Sequence, residues 1–507
     1  MPPARPLHLL AMAALLAVPA LGAAADPVVT TPRGAADIRM AAAPAGPRAL
    51  AYWTVVSGGT QRLEAAERGA DGTWAAPVVL GTASGDGDPI IALNARGDAV
   101  LAWRLRDRSG QRLLAATRAP GGRWSALRAV ATAPRLGPPE LNLASDGTAI
   151  VGWGQVRNLD TRTPVRASVR RPGGAFGAPV RVGTAPAASS ALENIEFRAL
   201  PGGRAVAAWS DKGETSVARL RGGRWGTPSV LRVTRIGVWA VRVSADGTAF
   251  TTWFVPRRGA KGNFNAVPGR MFGAVAPPGR GWARPRAISG PTAVIGVENL
   301  FYSGTVLYLD DAGHAYAGWI RFPRLPGGGP RATVGAGGAA IVATGGPGGW
   351  GTGRRVSAAG SNVAALDLDG GGSGATVAWI EAVPGGDNEL AFASTSDTSG
   401  TRWDAPLPLF ARGRLALREP GTVSVVQAPD RSATVALGFR NPVAYRPAAA
   451  AAWRLVTLEE PGVFGAPEPD AVFIASDGAA YAAQRRYTGT AYAEVTSVGV
   501  LVPVPGA

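Results

Sequence analysis

A tryptophan recurs about every fifty residues along this chain, each time at the end of an apolar segment that follows a turn. The clearest copies are residues 97–103, 146–153 and 246–253. A turn followed by an alternating apolar strand is one supersecondary unit, and it cannot bury both of its faces unless it packs on copies of itself. The sequence therefore predicts a repeat protein.

Two landmarks alternate through the repeats. The second one is a turn followed by an aromatic residue and often a proline, and eight units carry both landmarks. The strand-end positions are Trp53, Trp103, Trp153, Trp209, Trp253, Trp319 and Trp379, with Phe439 in the eighth place and Gln484 in a degraded ninth. The turn-aromatic positions are Trp74, Trp124, Phe176, Trp225, Trp282, Trp350, Trp403 and Phe464. We expect the strand-end indoles to fill the wedge between neighbouring sheets rather than to form a ladder of sugar-binding platforms.

Each unit contains four short strands, and the third unit shows them best, at 140–144, 148–154, 165–170 and 176–182. Four strands in roughly 45 to 65 residues is the period of a propeller blade. The predicted fold is therefore all-β, a single β-propeller of about eight or nine four-stranded blades over residues 26–507. The tail offers strands at 471–475 and 479–485 and can form a ninth blade, because 38–42 already supplies the first strand of unit one. Two smaller propellers are the alternative.

The first 25 residues are typical of a secretory signal peptide, with an apolar segment from Leu9 to Leu21 before small residues. The chain has no cysteine, which excludes disulfides, thiolate metal sites and a lipoprotein anchor. We expect a secreted, extracellular and monomeric protein without a membrane span, stabilised by burial alone.

The formal charge of +17 comes almost entirely from arginine, since only two of the 52 basic residues are lysines. An arginine excess this lopsided is typical of a GC-rich genome, but its field still favours anionic partners. The predicted partners are an extracellular glycan, an anionic wall polymer or a surface protein, and not nucleic acid. The segment from Gly247 to Val297 contains no acidic residue. It contains seven basic residues: Arg257, Arg258, Lys261, Arg270, Arg280, Arg284 and Arg286. This basic run predicts either a polyanion-binding patch or an ordinary solvated face.

The loop before each first strand surrounds the mouth of a propeller's central channel, where ligands commonly bind. Carboxylates, guanidiniums and an indole in these loops can hold a sugar by hydrogen bonds and stacking, although solvated loop charges without a common ligand give the same pattern. The predicted ligand-binding residues are Asp88, Glu140, Glu193, Asn194, Trp239, Glu298, Tyr302 and Arg418.

The sequence argues against most catalytic chemistry. His314 is the only histidine after the leader, it lies in a turn, and no Gly-x-Ser-x-Gly elbow occurs. Residues 85–88 and 367–372 are faintly similar to calcium loops, but neither has the spacing of an EF-hand loop, and ordinary turns between strands explain both. We therefore predict no catalytic residue, no metal site and no cofactor.

Residues 70–74, Ala-Asp-Gly-Thr-Trp, and the more widely spaced Asp397 to Trp403 resemble the Asp-box of sialidase-like propellers. The resemblance implies a propeller fold. Sialidases of that family also use three arginines, a tyrosine paired with a glutamate, an aspartate acid/base and an N-terminal Arg-Ile-Pro type motif. Glu298 with Tyr302 could imitate the tyrosine–glutamate pair. The only near match to the motif, Arg321-Phe322-Pro323, lies late in the chain and in the wrong unit, so no catalytic residue is assigned from the resemblance. We expect non-catalytic binding of extracellular carbohydrate or of a surface protein, with a sialidase-like glycoside hydrolase and a purely structural module as alternatives.

Overall fold

The structure is a computed structural model, and all of the regular structure that it describes is β. The described residues are 29–30, 35–44, 48–84, 86–107, 110–155, 162–187, 194–211, 213–233, 239–257, 267–290, 293–295, 306–323, 337–382, 389–409, 423–437, 443–448, 452–457, 469–474, 480–487, 494–500 and 502–503. Among them, no helix is long and apolar enough to cross a membrane.

The strands form antiparallel sheets in which sequence neighbours pair, and we number the strands of each blade from first to fourth. The first strands of blades 1 to 9 are Ala35–Ala42, Asp86–Leu93, Glu140–Leu143, Asn194–Leu200, Trp239–Val243, Val306–Leu309, Val363–Gly370, Val423–Gln427 and Pro469–Ile474. The second strands are Ala49–Ser57, Ala99–Asp107, Ala149–Gly154, Arg204–Asp211, Ala249–Pro256, Ala315–Phe322, Ala375–Ala382, Ala433–Leu437 and Ala480–Tyr487.

The outer half of each blade is less regular than the inner half. The third strands are Thr60–Arg68, Gly110–Arg118, Arg162–Arg170, Glu214–Arg221, Val267–Ala276, Ala339–Gly346, Glu389–Thr395, Val443–Arg446 and Glu494–Val500. The fourth strands are Val78–Ser84, Arg128–Ala133, Val180–Ala187, Ser229–Arg232, Arg286–Ala287, Arg354–Arg355, Leu407–Pro408, Arg454–Thr457 and, in blade 9, Val29–Thr30. A short strand, Ala293–Ile295, joins blades 5 and 6 into one continuous sheet.

Nine first strands contact one another in sequence, and the ninth contacts the first, so they surround one central channel. The N-terminal strand Val29–Thr30 pairs with the third strand of blade 9, and Val502–Pro503 pairs with the fourth strand of blade 8. The strand Val29–Thr30, which precedes blade 1, therefore completes blade 9 and closes the ring, whereas Val502–Pro503 joins blade 9 to blade 8. The predicted all-β propeller is confirmed, and the tail forms a ninth blade.

The strand-end tryptophans occupy equivalent positions on the second strands of blades 1 to 7. All seven are at most 2% exposed, which confirms the predicted burial. Trp209 shows how closely the blades approach, because a Cβ placed on Gly183 of blade 3 would lie 2.5 Å from the Trp209 ring. Only glycine leaves room for the indole there.

Strand bounds differ from the predicted ones mainly at the blade periphery. In blade 3 the fourth strand begins at Val180 rather than at Phe176. Phe176 forms only an isolated bridge to Arg170, and Pro179 interrupts the pairing because it has no backbone N–H. The turn-aromatic landmark thus packs beside the sheet before the fourth strand starts.

Candidate binding surface on the channel wall

The innermost strand of each blade pairs with a neighbour along only one edge, so its other edge presents unpaired backbone groups to the channel. In three blades a side chain of one first strand accepts a hydrogen bond from a backbone N–H of the next first strand. The recorded pairs are Asn142 with Ala199 (3.0 Å), Glu196 with Val243 (3.0 Å), Asp367 with Val425 (2.8 Å) and Asp369 with Gln427 (2.9 Å). Polar residues in the first strands therefore lock successive blades together beside the channel.

Glu140 and Glu196 form the first part of this wall, in blades 3 and 4. The pKa of Glu140 is raised to about 7, mainly by desolvation and also by the neighbouring charge of Glu196, while Arg242 acts to lower it. Solvent reaches the Glu140 side chain, but the surrounding protein is close enough to disfavour its charge. Burial also raises the pKa of Glu196, against the effects of Arg242 and of the Val243 N–H.

Arg242 and Tyr308 continue the wall into blades 5 and 6. An Nη atom of Arg242 lies 3.6 Å from a carboxylate oxygen of Glu196, and its guanidinium carbon lies 5.9 Å from the centre of the Tyr308 ring. A guanidinium at this distance from an aromatic ring is attracted to it. Arg242 therefore links the carboxylates of blades 3 and 4 to the phenol of blade 6.

Asp367 and Asp369 complete the wall in blade 7. Burial raises the pKa of Asp367 to about 6 and that of Asp369 to about 7, although each carboxylate accepts backbone hydrogen bonds that lower it. Burial raises the pKa of Tyr308 above its usual range, and the charges of these two aspartates raise it further. The three side chains therefore influence one another electrostatically.

We name these six residues, Glu140, Glu196, Arg242, Tyr308, Asp367 and Asp369, the channel arc. They span five consecutive blades of the nine. Carboxyl groups with pKa values near neutrality exist in both protonation states around pH 7, so they can donate as well as accept hydrogen bonds. The arc also contains a guanidinium, which donates hydrogen bonds, and a phenol, which donates and accepts them. Its side chains can therefore pair with hydroxyl groups that act as donors or as acceptors.

Of the ligand-binding residues predicted from the sequence, only Glu140 belongs to the channel arc. Asp88 is exposed and paired with Arg104 at 2.8 Å and, more weakly, with Arg39 at 4.0 Å, so its charge is already neutralised by the protein. Asn194 and Trp239 begin the first strands of blades 4 and 5, with Asn194 half-buried. Glu193, Glu298, Tyr302 and Arg418 lie outside the described residues, and so does the Glu298–Tyr302 pair.

Five of the six arc residues were missed by the sequence analysis, which looked for ligands in the loops before the first strands. Asp367 and Asp369 lie inside a strand and not in the predicted turn. A usable signal exists, because isolated charged residues alternate with apolar ones in Ile-Glu-Phe-Arg at 195–198 and Leu-Asp-Leu-Asp at 366–369. In an innermost strand such residues have only the channel and the neighbouring strand as polar partners.

His314 lies in the predicted turn, and this turn accepts hydrogen bonds from neighbouring residues of blades 6 and 7. Its Nδ1 lies 2.8 Å from a carboxylate oxygen of Asp310, and the same oxygen accepts hydrogen bonds from the Tyr316 hydroxyl and from the Gly374 N–H of blade 7. The histidine is thus part of a turn network between blades 6 and 7. Within the described part of the chain, no group of three or more His, Cys, Asp or Glu side chains is arranged to hold a metal ion.

No protein family model matches the chain, and no curated protein matches it in sequence. Solved structures with a similar fold include the polysaccharide lyase Uly1 (11% identity over 82% of this chain and 89% of the lyase, TM-score 0.36). Others are the β-propeller domain of the Trilobed protease from Pyrococcus furiosus (8% identity, 71% and 89% coverage, TM-score 0.31) and the fucose-specific lectin from Aleuria aurantia (12% identity, 76% and 100% coverage, TM-score 0.30). Similarity at this level assigns the chain to none of these families and to none of their activities.

Proposed function

We propose that this protein is a secreted, non-catalytic carbohydrate-binding propeller, and that the channel arc contacts the sugar. The observation that carries the proposal is the arc itself, in which Arg242 lies 3.6 Å from a carboxylate oxygen of Glu196 and 5.9 Å from the centre of the Tyr308 ring. Sugar sites combine planar hydrogen-bonding groups, which pair with adjacent hydroxyls, and an aromatic face, which covers the C–H surface of the ring.

The raised pKa values of the arc support a neutral sugar rather than a cation as ligand. Near pH 7 Glu140 and Asp369 are close to half protonated, since the pKa of each is about 7. A protonated carboxyl group exerts no attraction on a cation, but it both donates to and accepts from a sugar hydroxyl. We therefore propose that the ligands of the channel arc are neutral oligosaccharides.

A glycoside hydrolase is the second candidate, and one observation favours it. Glu140 and Glu196 are neighbouring carboxyl groups, and desolvation together with their mutual repulsion gives Glu140 a pKa of about 7. Glycosidases place two carboxyl groups on either side of the scissile bond, one of them with a raised pKa so that it can act as general acid. In this alternative Glu140 is the acid and Glu196 the second carboxylate.

Binding is tested by calorimetric titration with short gluco-, xylo-, manno- and galacto-oligosaccharides. We expect at least one of these to bind, and Arg242→Gln to weaken it by about tenfold or more, because the variant loses the charge-assisted hydrogen bonds of the guanidinium. Arg232→Gln is the matched control, since Arg232 is 78% exposed on the fourth strand of blade 4. The proposal fails if no neutral oligosaccharide binds, or if both variants bind alike.

The two candidates are separated by analysing the products after incubation with the same oligosaccharides. A binding protein leaves them intact. If shorter products form, and if Glu140→Gln abolishes them without weakening binding, the hydrolase assignment replaces the binding assignment.

A further inference from the structure

A cavity of about 550 Å³ lies between the outer strands of blades 3 and 4, away from the channel. Its wall combines apolar and cationic side chains from both blades. Those that matter here are Val180, Leu220, Trp225, Arg171, Arg181 and Arg224. We name it the interblade cavity, and its volume lies within the range of about 300–1,000 Å³ that is typical of small-molecule sites.

Three guanidinium groups line the interblade cavity, and no acidic residue does. Within the described part of the chain, none of these three side chains donates a hydrogen bond to the protein or forms an ion pair. Arg171 is placed by the glycine turns of blade 4, since its side chain lies 3.9 Å from a Cβ built on Gly203 and 3.7 Å from one built on Gly223. The nearby carboxylate of Asp146 is occupied by Gly202 and Thr148 and does not line the cavity.

The apolar part of the wall comes from the repeated landmark of blade 4. Trp225 is half-buried there, with one side against the core cluster of blades 3 and 4, and Val180 beside it is 45% exposed. An indole that is only partly covered offers a flat surface on which a sugar ring can stack. The cavity thus joins a stacking surface to three cations that have no hydrogen-bonding or ionic partner among the described residues.

A second interblade cavity makes the contrast clear. It measures about 330 Å³, lies between blades 2 and 3, and has Arg166 as its only charged lining residue. Blade 2 carries the same Gly-Gly-Arg-Trp landmark at 121–124 that blade 4 carries at 222–225, but Ala119 of blade 2 stands where blade 3 has Arg171. The cluster of cations is therefore a local addition to the repeat.

We propose that the interblade cavity binds a sugar ring bearing a carboxylate, that is, a uronic acid residue of an extracellular polysaccharide. Arg171, Arg181 and Arg224 pair with the carboxylate, because a guanidinium donates two parallel hydrogen bonds to it, and Trp225 packs on the ring. This site is independent of the channel arc, which takes neutral sugars.

The experiment is a calorimetric titration with trigalacturonate and triglucuronate, each compared with its neutral trisaccharide counterpart. We expect at least one uronate to bind and its neutral counterpart not to. Arg171→Ala and Arg181→Gln should each weaken binding by about tenfold or more. Arg171→Ala introduces the residue that blade 2 already carries, so the variant is expected to fold, and an unchanged melting temperature verifies this.

Arg123→Gln is the matched control, since Arg123 precedes the landmark tryptophan of blade 2 as Arg224 does in blade 4. It should bind like the original protein, whereas Arg224→Gln should not. The inference is overturned if neither uronate binds, if the neutral counterparts bind equally well, or if Arg123→Gln loses as much affinity as Arg224→Gln. Arg242→Gln separates the two proposals, because it impairs only the channel arc and should keep full affinity for the uronate.

Discussion

The first and second strands of each blade lie side by side, yet their sequences follow opposite rules. The second strands of seven blades carry a tryptophan at equivalent positions within the strand, and all seven indoles are buried. The first strands differ from blade to blade, with Glu196 in blade 4, Arg242 in blade 5 and Asp367 in blade 7. Repetition marks the part of a blade that packs, and variation marks the part that lines the channel.

The physical reason is the number of neighbours. A second strand is paired along both edges and packed between two blades, so every copy faces the same steric problem and has the same solution. A first strand has a free edge beside the channel. Its polar side chains need only accept one backbone N–H of the next blade, as Glu196 does from Val243, and several residue types meet that requirement.

The strongest test of this comparison is truncation of a repeated indole. We expect Trp153→Ala to lower the free energy of unfolding by about 3–5 kcal/mol, because it leaves a large cavity between packed sheets. Urea denaturation followed by far-UV circular dichroism measures it. Trp124→Ala is the control, since Trp124 belongs to the half-buried landmark and should cost clearly less. Equal losses would show that the second-strand position has no special role in packing.

The second test concerns the pH dependence of stability at a first-strand carboxyl group. Asp369 has a pKa of about 7 in the folded protein, mainly because of burial, against about 4 when unfolded. The folded state therefore holds the proton more tightly, so the contribution of Asp369 to stability is greatest at low pH and is lost as the pH rises toward 7. Between pH 5 and pH 8 the loss is about 2–3 kcal/mol.

Asp369→Asn is the variant for this test, because an amide oxygen can still accept the Gln427 N–H that Asp369 accepts at 2.9 Å. We expect it to be more stable than the original protein at pH 8 and similar to it near pH 4. The measurement is urea denaturation across that pH range. A constant difference between the two proteins at all pH values would contradict the raised pKa.

The turn that contains Asp246 recurs in several blades. Its contribution to stability should depend on pH in the opposite direction to that of Asp369, and by a smaller amount. Burial alone raises the pKa of Asp246, but hydrogen bonds from Ser244 and Thr248 outweigh it and lower the pKa overall. Asp246→Ala should therefore destabilise at pH 7 by about 0.5–1 kcal/mol, a modest value because solvent screens this exposed turn. The difference should shrink as the pH falls through the lowered pKa of Asp246 in the folded protein, because below it the carboxylate is protonated in both states. Destabilisation that persists at pH 2 would point to a conformational role of the turn instead.

The comparison also explains how much could be predicted from the sequence. The fold and the buried tryptophans were predictable because Trp103, Trp153 and Trp253 repeat in one setting, and repetition reports packing. Most of the channel arc was not predictable in this way, because residues such as Arg242 and Tyr308 come together only through the closure of the ring. Glu140 was found because it is the first residue of its strand and so also belongs to the preceding loop.

The smallest expected effect concerns the basic run of blade 5, another unrepeated feature. Arg257, Arg270, Arg280, Arg284 and Arg286 are described, whereas Arg258 and Lys261 lie outside the described residues. Seven positive charges without an acid should attract polyanions over a Debye length of about 10 Å at 0.1 M salt, so binding must weaken steeply as salt is added. We expect the variant with Arg257, Arg258 and Lys261 changed to Ala to elute from heparin at a salt concentration lower by roughly 0.1 M, because it loses three of the charges that produce the field.

The control is a second triple variant, in which three exposed arginines of other blades are changed to Ala. These are Arg123, Arg128 and Arg232, and their loss lowers the net charge by the same amount. If the two triple variants elute together, the net charge of +17 acts as a whole, and the unrepeated run of blade 5 is an ordinary solvated face.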